Sequence, residues 1–242
     1  SRKTGKWVLM ATVTSTFIGT GSIMGMAGVA FSGGGLILVA VAVSYGFYFW
    51  LFGRFFAPKI KEFGDKQKAF TLPDFLEYRY AKKVRWAGSL VILVSYALWL
   101  ALQMLGIGSF VALISDFSPF WATCIGGLIV IIYTAVGGLR ADIRTDIFQF
   151  LIMLTLLFVF LPITFVKGGG LEALSKLPVS FLTGVDFAHP FVIVMGLLFL
   201  GAGVIVAPDL WQRAYAGDSK KGVRWAMIVS GVLVLGFLAM GT

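Results

Sequence analysis

The sequence predicts an all-α integral membrane protein built as an inverted repeat of helices, seven transmembrane helices of a ten-helix core, and three observations carry that expectation. Apolar residues make up 59% of the chain and charged residues only 13%, about half the charge of a soluble domain, with a mean hydropathy of +0.93. Two apolar stretches, Trp7 to Phe31 and Phe191 to Asp209, are interrupted near their middles by Gly19-Thr20-Gly21 and Gly201-Ala202-Gly203. The basic residues, finally, concentrate on alternate connections between apolar runs.

Runs of about 20 apolar residues, enough to cross a bilayer as helix, lie at about 7–31, 34–56, 87–114, 120–138, 146–166, 190–208 and 223–242. These are spans one to seven. No alternation of period two recurs at ten-residue spacing, which argues against a transmembrane barrel. Three Lys/Arg precede span one, nine fall from Arg54 to Arg85, two flank the turn between spans four and five, and four follow span six; only Lys167 and Lys176 lie elsewhere. By the positive-inside rule the N-terminus and the 2–3, 4–5 and 6–7 connections are cytoplasmic, as in a multi-pass protein of the plasma (inner) membrane. Span one then runs outward and span six inward. Residues 1–166 read as the first five-helix inverted repeat, and 190–242 as the first two helices of a truncated second repeat. Within the 2–3 connection, Pro73 can open an interfacial helix at about 72–86, with Phe75, Leu76, Tyr80 and Val84 on one side, held by membrane lipid.

The net charge of +9 is accounted for by this topology rather than by nucleic acid. Cys124 is the only cysteine and His189 the only histidine, so neither a disulfide framework nor a transition-metal site is expected. Cys124 reads as a buried, inert thiol within span four, and His189, beside Pro190, as a loop residue or helix entry. With no His cluster, thiol–histidine pair or paired buried carboxylates, an enzyme is not expected. Lysine is absent between Ala226 and Gly241, which argues against a retinal-binding seven-helix protein. No cleavable signal peptide is evident, and a first residue of Ser1 is read either as lost upstream sequence or as a start placed by a processing event or by experiment.

The chemistry is expected at the two breaks. Unpaired backbone polar groups cost several kcal/mol in hydrocarbon, so irregular backbone at membrane depth is kept where it lines a site. Gly21, Gly25 and Gly28 also have the three- and four-residue spacing of close helix packing. The polar clustering of Ser15, Thr16, Thr20 and Ser22 around Gly19, however, points to a binding site. Such breaks are the mark of transporters. No charge lies between Lys6 and Arg54, but helix N-termini can hold a substrate carboxylate without one. Asp146, at the start of span five, and Asp209, after Pro208 in span six, read as gate or ion-path residues. The plain alternatives are a carboxylate favoured by a helix dipole, worth roughly 0.3–1 kcal/mol, and a solvated cap or partner of Arg213.

Four strings, in order, carry a resemblance. They are Ser15-Thr16-Phe17-Ile18-Gly19-Thr20-Gly21 with Gly25-Met26-Ala27-Gly28, Thr71-Leu72-Pro73-Asp74-Phe75-Leu76-Glu77-Tyr78-Arg79-Tyr80, Tyr133-Thr134-Ala135-Val136-Gly137-Gly138-Leu139-Arg140-Ala141 with Thr145-Asp146 and Gln149, and Trp211-Gln212-Arg213-Ala214-Tyr215-Ala216. Together they resemble the sodium/solute symporters, the family of the proline, sugar, sialic acid and pantothenate transporters. The resemblance implies a leucine-transporter-like fold that works by alternating access. Spans one, two, six and seven would form the moving bundle, three and four would belong to the scaffold, and five would be a gating arm. It implies a sodium ion held by the backbone carbonyls of Ser15 and Ile18, with further ligands on a later helix. A small-molecule solute would lie against Phe17, Gly19, Thr20, Ser22, Gly201 and Gly203, with Gln103 another contact or a helix-to-helix hydrogen bond. Asp146 matches a family aspartate on the sodium exit route. The family's sugar carriers place a carboxylate in span two, where this chain has only Ser44, Tyr45 and Tyr48 as polar groups, so an amino acid, a monocarboxylate or a similar solute is expected. The alternatives are a symporter-like sensor domain of a signalling protein and a non-transporting subunit or fragment, completed by a missing C-terminal half or a partner subunit.

Overall fold

The computed structural model describes residues 3–19, 23, 25–28, 31, 35–176, 178–179 and 190–239, and every regular element among them is helical. In chain order these are α1 (Lys6–Phe17), α2 (Gly35–Leu51), α3 (Ala57–Gln67), α4 (Leu72–Arg79), α5 (Lys82–Ile114), α6 (Pro119–Thr155), α7 (Leu161–Lys167), α8 (Gly170–Ser175), α9 (Pro190–Phe199), α10 (Gly203–Val206), α11 (Pro208–Ala216) and α12 (Lys220–Ala239). Five stretches are long and apolar enough to cross a bilayer: Val39–Gln67, Lys82–Ile114, Pro119–Gly138, Ala141–Lys167 and Lys220–Leu238. The bent pair Val194–Val206 and Pro208–Ala216 makes a sixth. Of span one, α1 has 12 residues, about 18 Å at 1.5 Å per residue, and the second half falls partly outside the described residues.

Spans one, two, six and seven pack as one bundle. Helix α12 lies against both α1 and α2, and α2 also carries α9. The core is built from Leu9, Val13, Phe49, Phe52, Val204, Leu210, Tyr215, Val223, Met227 and Val234, all nearly solvent-free. Small residues let spans two and seven approach closely. A methyl on Gly231 would come within 2.5 Å of Phe49, and one on Gly46 within 2.7 Å of Leu235, the packing expected where lipid supplies no hydrophobic drive. Spans three and four pair with each other, and α4 packs on α5. None of the apolar core of Lys82–Ile114 is buried, against half for Lys220–Leu238, so span three lies at the periphery.

Two helix irregularities have proline as their cause. In the π-turns Phe52–Phe56 and Leu156–Phe160, the N–H of Ala57 and of Leu161 reaches back five residues. Pro58 and Pro162, which follow, have no N–H to continue the four-residue ladder. Gly138 (φ 52°, ψ −154°) breaks α6 between spans four and five, in a conformation that suits glycine.

The four basic connections meet at one end of the bundle. Thr4 donates its N–H to Ala216 O at 3.0 Å and accepts from Asp218 N at 3.0 Å, which ties the N-terminus to the 6–7 connection. Lys220 Nζ meets Glu62 at 2.7 Å, and Arg213 meets Asp142 at 3.3 Å. This is the gathering that the distribution of basic residues predicts.

The helix expected at 72–86 is shorter. It stops at Tyr80 (φ −124°, ψ −85°), Ala81 is extended, and Lys82–Arg85 form the first turn of α5. Arg85 folds back across this corner to Glu77 and to Asp74, the latter at 3.3 Å. The start of α4 is a capping box: Thr71 accepts from Asp74 N at 3.3 Å, while the Asp74 carboxylate accepts from Thr71 N and Phe70 N, each at 2.9 Å. Burial opposes ionisation of Asp74, but the hydrogen bonds of Phe70 and Thr71 and the charge of Arg85 outweigh it and hold its pKa below the usual carboxylate value. A lowered folded-state pKa stabilises above the ordinary carboxylate value and ceases to do so as pH falls through the lowered one. Replacing Asp74 by alanine is therefore expected to cost about 1 kcal/mol near neutral pH, seen as faster hydrogen exchange in α4, with the difference from wild type vanishing in acid.

Candidate functional site

Span one breaks at Ile18, immediately before the Gly19-Thr20-Gly21 string, of which only Gly19 is among the described residues. Helix α1 ends at Phe17, and Ile18 is extended (φ −105°, ψ 95°). Beyond it, Ile23 N donates to Gly19 O at 3.1 Å. A helix end leaves its last carbonyls outside the intrahelical ladder; here Thr14 O is taken by Ile18 N at 3.2 Å, and Ser15 O is the next in line. Ser15 and Ile18 are both buried. Phe17 sets its ring edge against Phe49 and Tyr45, with centroids 4.8 and 6.4 Å apart. Gly19 faces span three so closely that a methyl there would lie 2.6–2.9 Å from the Gln103 amide. Thr20, Gly21 and Ser22 lie outside the described residues, as does His189, and Cys124 is exposed rather than buried because span four turns little of its surface inward.

The break in span six has two parts. Leu200–Ala202 tighten into a 3₁₀ turn, and the 50° bend comes later, at Ala207 (φ −64°, ψ 111°). The physical reason for the later bend is Pro208, which disfavours helical backbone in the residue before it. The polar groups of span two hold the 3₁₀ turn. Ser44 Oγ accepts from Gly201 N at 2.9 Å, and Tyr48 donates to Leu198 O at 2.7 Å. Phe17 and Gly201 therefore share Tyr45 as a neighbour, whereas Gly203 is exposed with open space beside it.

At the basic end, a buried polar cluster joins three spans. The Arg213 guanidinium is 5% exposed and the Asp146 side chain 8%. Arg213 Nη2 donates to Asp146 Oδ2 at 3.0 Å and to Asp142 Oδ2 at 3.3 Å, and its Nε donates to Thr12 Oγ1 at 3.0 Å. Thr12 in turn donates to Asp146 Oδ2. Ser15 Oγ donates to the Asp146 backbone carbonyl at 2.7 Å. Residue 146 is thus held to α1 through both side chain and main chain, and one of the proposed sodium-site residues touches it directly. Asp209 does not pair its carboxylate with Arg213, which reaches only the Asp209 backbone carbonyl, at 3.5 Å. The carboxylate instead accepts from the Tyr96 hydroxyl of span three.

Thr12, Asp142, Arg213 and Tyr96 were not identified from the sequence as a cluster. A signal was present for Thr12, because Thr12, Ser15 and Thr16 fall at i, i+3 and i+4 on one side of an apolar helix. Two carboxylates thus share one guanidinium at this end of the span-one break.

Comparison with known proteins completes the picture. The family model "Sodium:solute symporter family" matches residues 1–242. The sodium/pantothenate symporter of Escherichia coli is 28% identical over 250 aligned positions, covering 100% of this chain and 51% of its own length. The high affinity choline transporter 1 of Homo sapiens is 26% identical, over 95% of this chain and 39% of its own. The monocarboxylic acid transporter of Corynebacterium glutamicum is 28% identical, over 71% of this chain and 37% of its own. The chain thus spans about half the length of the pantothenate symporters it matches, and its relatives are transporters rather than enzymes. With its multi-pass helical architecture, its broken first span and this match along its whole length, the chain belongs to the sodium:solute symporter family.

Proposed function

We propose that this chain forms the first half of a plasma-membrane symporter, N-terminus in the cytoplasm, that couples sodium entry to uptake of a small organic solute. Residues 1–166 would be the first inverted repeat and 190–242 the start of the second. The observation that carries the reading is the span-one break at Ile18, with Ser15 tied to Asp146, in a chain of this family. Ser15 and Ile18 carbonyls offer the hard oxygen donors that sodium needs, with no fixed anion required. Solute would lie beside the ion, against Phe17, Gly19, Thr20, Ser22 and the span-six break near Gly201 and Gly203. Two of the relatives are named for carboxylates, which favours a carboxylate-bearing solute. One sodium crossing 100 mV supplies about 2.3 kcal/mol, a roughly fifty-fold accumulation.

Alternating access requires the bundle of spans one, two, six and seven to move against spans three to five. Two polar latches cross that boundary at the same end. Arg213 and Thr12 on the bundle hold Asp146, and Asp209 on the bundle accepts from Tyr96. Both would have to open for an ion to leave there, and in this reading Asp146 and Asp209 would serve as gate or ion-path residues.

The test is uptake by the full-length protein in liposomes under an inward sodium gradient, over a panel of small carboxylates, amino acids and choline. Gly19→Leu, whose side chain would overlap the Gln103 amide, is expected to lower sodium-driven uptake at least about tenfold. Uptake that needs no sodium, or that survives Gly19→Leu unchanged, would refute the reading.

A further inference from the structure

A second polar feature at the basic end is lined by none of the residues proposed above for ion or solute. Where α2 runs into its π-turn and α12 begins, a cavity of about 290 Å³ is lined by Arg54, Lys59, Lys220, Lys221 and Arg224, with Phe55 among them. That is about ten water volumes at roughly 30 Å³ each. Lys220 is paired with Glu62 at 2.7 Å. Among the described residues the other four cations have no carboxylate within ion-pair distance. Like charges gathered on one wall repel, and an anion seated between them removes that cost. The Arg54 guanidinium is steered by the Phe55 ring, 5.2 Å from its centroid.

The surroundings indicate which anion. Val39, Val43, Phe47 and Trp50 are all exposed, and with Arg54 they follow the three- and four-residue steps of one helix face. An apolar stripe on span two therefore leads directly to the cation-lined cavity. On the neighbouring helices Trp7 and Trp225 meet edge to face at 4.6 Å, with Lys6 within 5.6 Å of both rings. Tryptophan beside lysine marks the headgroup level of a bilayer. A soluble phosphate would use the cations and ignore the stripe; an anionic phospholipid would use both.

We propose that this cavity is a binding site for an anionic phospholipid, its phosphodiester held by Arg54, Lys59, Lys221 and Arg224 and its acyl chains lying along Val43, Phe47 and Trp50. The cations reject a zwitterionic headgroup, whose own ammonium is repelled, and accept one with net negative charge. Because the site joins spans two and seven at their basic ends, the lipid would fasten two helices of the bundle.

The experiment is native mass spectrometry of the delipidated full-length protein in detergent, titrated separately with phosphatidylglycerol, phosphatidylcholine and inorganic phosphate. Phosphatidylglycerol is expected to bind about tenfold more tightly than phosphatidylcholine. Removing two cations, as Lys221→Gln with Arg224→Gln, is expected to weaken it roughly 25-fold, about five-fold for each charge near the surface. Lys221 and Arg224 are exposed, so folding is expected to be kept, with an unchanged thermal midpoint as the check. The control, Lys167→Gln with Lys176→Gln, removes the same charge from exposed positions after span five and is expected to change affinity less than twofold. Equal binding of the two lipids, or equal weakening by both double variants, would overturn the proposal in favour of diffuse surface charge. Inorganic phosphate that displaces the lipid at comparable concentration, with the same dependence on Lys221 and Arg224, would keep the phosphate chemistry but overturn the lipid as its source.

Discussion

Replacing Arg213 by methionine is expected to destabilise the protein by about 3–5 kcal/mol, because it leaves the Asp146 carboxylate buried without its counter-charge. The guanidinium serves four acceptors at once: Thr12 through Nε, Asp146 and Asp142 through Nη2, and the Asp209 backbone carbonyl through Nη1. Methionine fills much of the same volume, so the loss measures charge rather than packing. Asp146→Asn is expected to cost less, since Arg213 keeps Asp142, which is 39% exposed and helps to solvate the pair. The double replacement Arg213→Met with Asp146→Leu should recover most of the stability, as buried pairs replaced by apolar residues of similar size often do. Lysine at 213 should rescue only in part, because a single ammonium cannot reproduce the planar fork that reaches α1 and α6 together. Thermal midpoints of the full-length protein in detergent decide these outcomes, and a wild-type midpoint for Arg213→Met would show that the cluster is not holding the spans together. Sodium-driven uptake separates the two roles. If the cluster is a gate as well as a staple, the double variant regains its midpoint without regaining coupled transport.

That cluster also shows where sequence reasoning runs out. Local patterns were legible. The break at Ile18 follows from the Gly19-Thr20-Gly21 string amid hydroxyl side chains, and the shared end of the N-terminus and the 6–7 connection follows from the distribution of Lys and Arg. The partners of Arg213 were not legible, because they lie 67 and 201 residues away in sequence and nothing local to Arg213 distinguishes Asp146 from the nearer Asp209. Asp209 is four residues from Arg213, a natural helical pair, yet its carboxylate turns to Tyr96, 113 residues away. The bend of span six was within reach. Pro208 forbids the helical backbone that Ala207 would need, a stronger local signal than the glycines before it. The early end of α4 was harder, because the Tyr80–Ala81 corner is held from outside by Arg85, a residue that helical periodicity assigned to the same helix.

The two glycines of span six, which look equivalent in sequence, are expected to respond oppositely to alanine. At Gly201 the added methyl would lie 2.6 Å from the carbonyl oxygen of Ser44, 2.7 Å from its carbon and 2.9 Å from Tyr45 N. These are backbone atoms inside a helix and have no rotamer to retreat to, so the helices themselves must part. Separation would also stretch the bond from Gly201 N to Ser44 Oγ, 2.9 Å in the native packing, and a buried donor left unsatisfied costs about 1–3 kcal/mol. Added to overpacking of about 1–3 kcal/mol, Gly201→Ala is expected to lose roughly 2–6 kcal/mol and to lower the thermal midpoint markedly. At Gly203 no atom lies within 4 Å of the added methyl. Since alanine is favoured over glycine in a helix by up to about 1 kcal/mol, Gly203→Ala should hold or raise the midpoint. Ser44→Ala supplies the third measurement, since it removes the acceptor without the clash and should cost about the hydrogen-bond share alone. Equal midpoints for Gly201→Ala and Gly203→Ala would mean that spans two and six are not packed backbone to backbone at Ser44, and Phe17, Tyr45 and Gly201 would then not form one wall. If instead Gly203→Ala stays stable but loses sodium-driven uptake, the open space beside Gly203 is room that the solute uses.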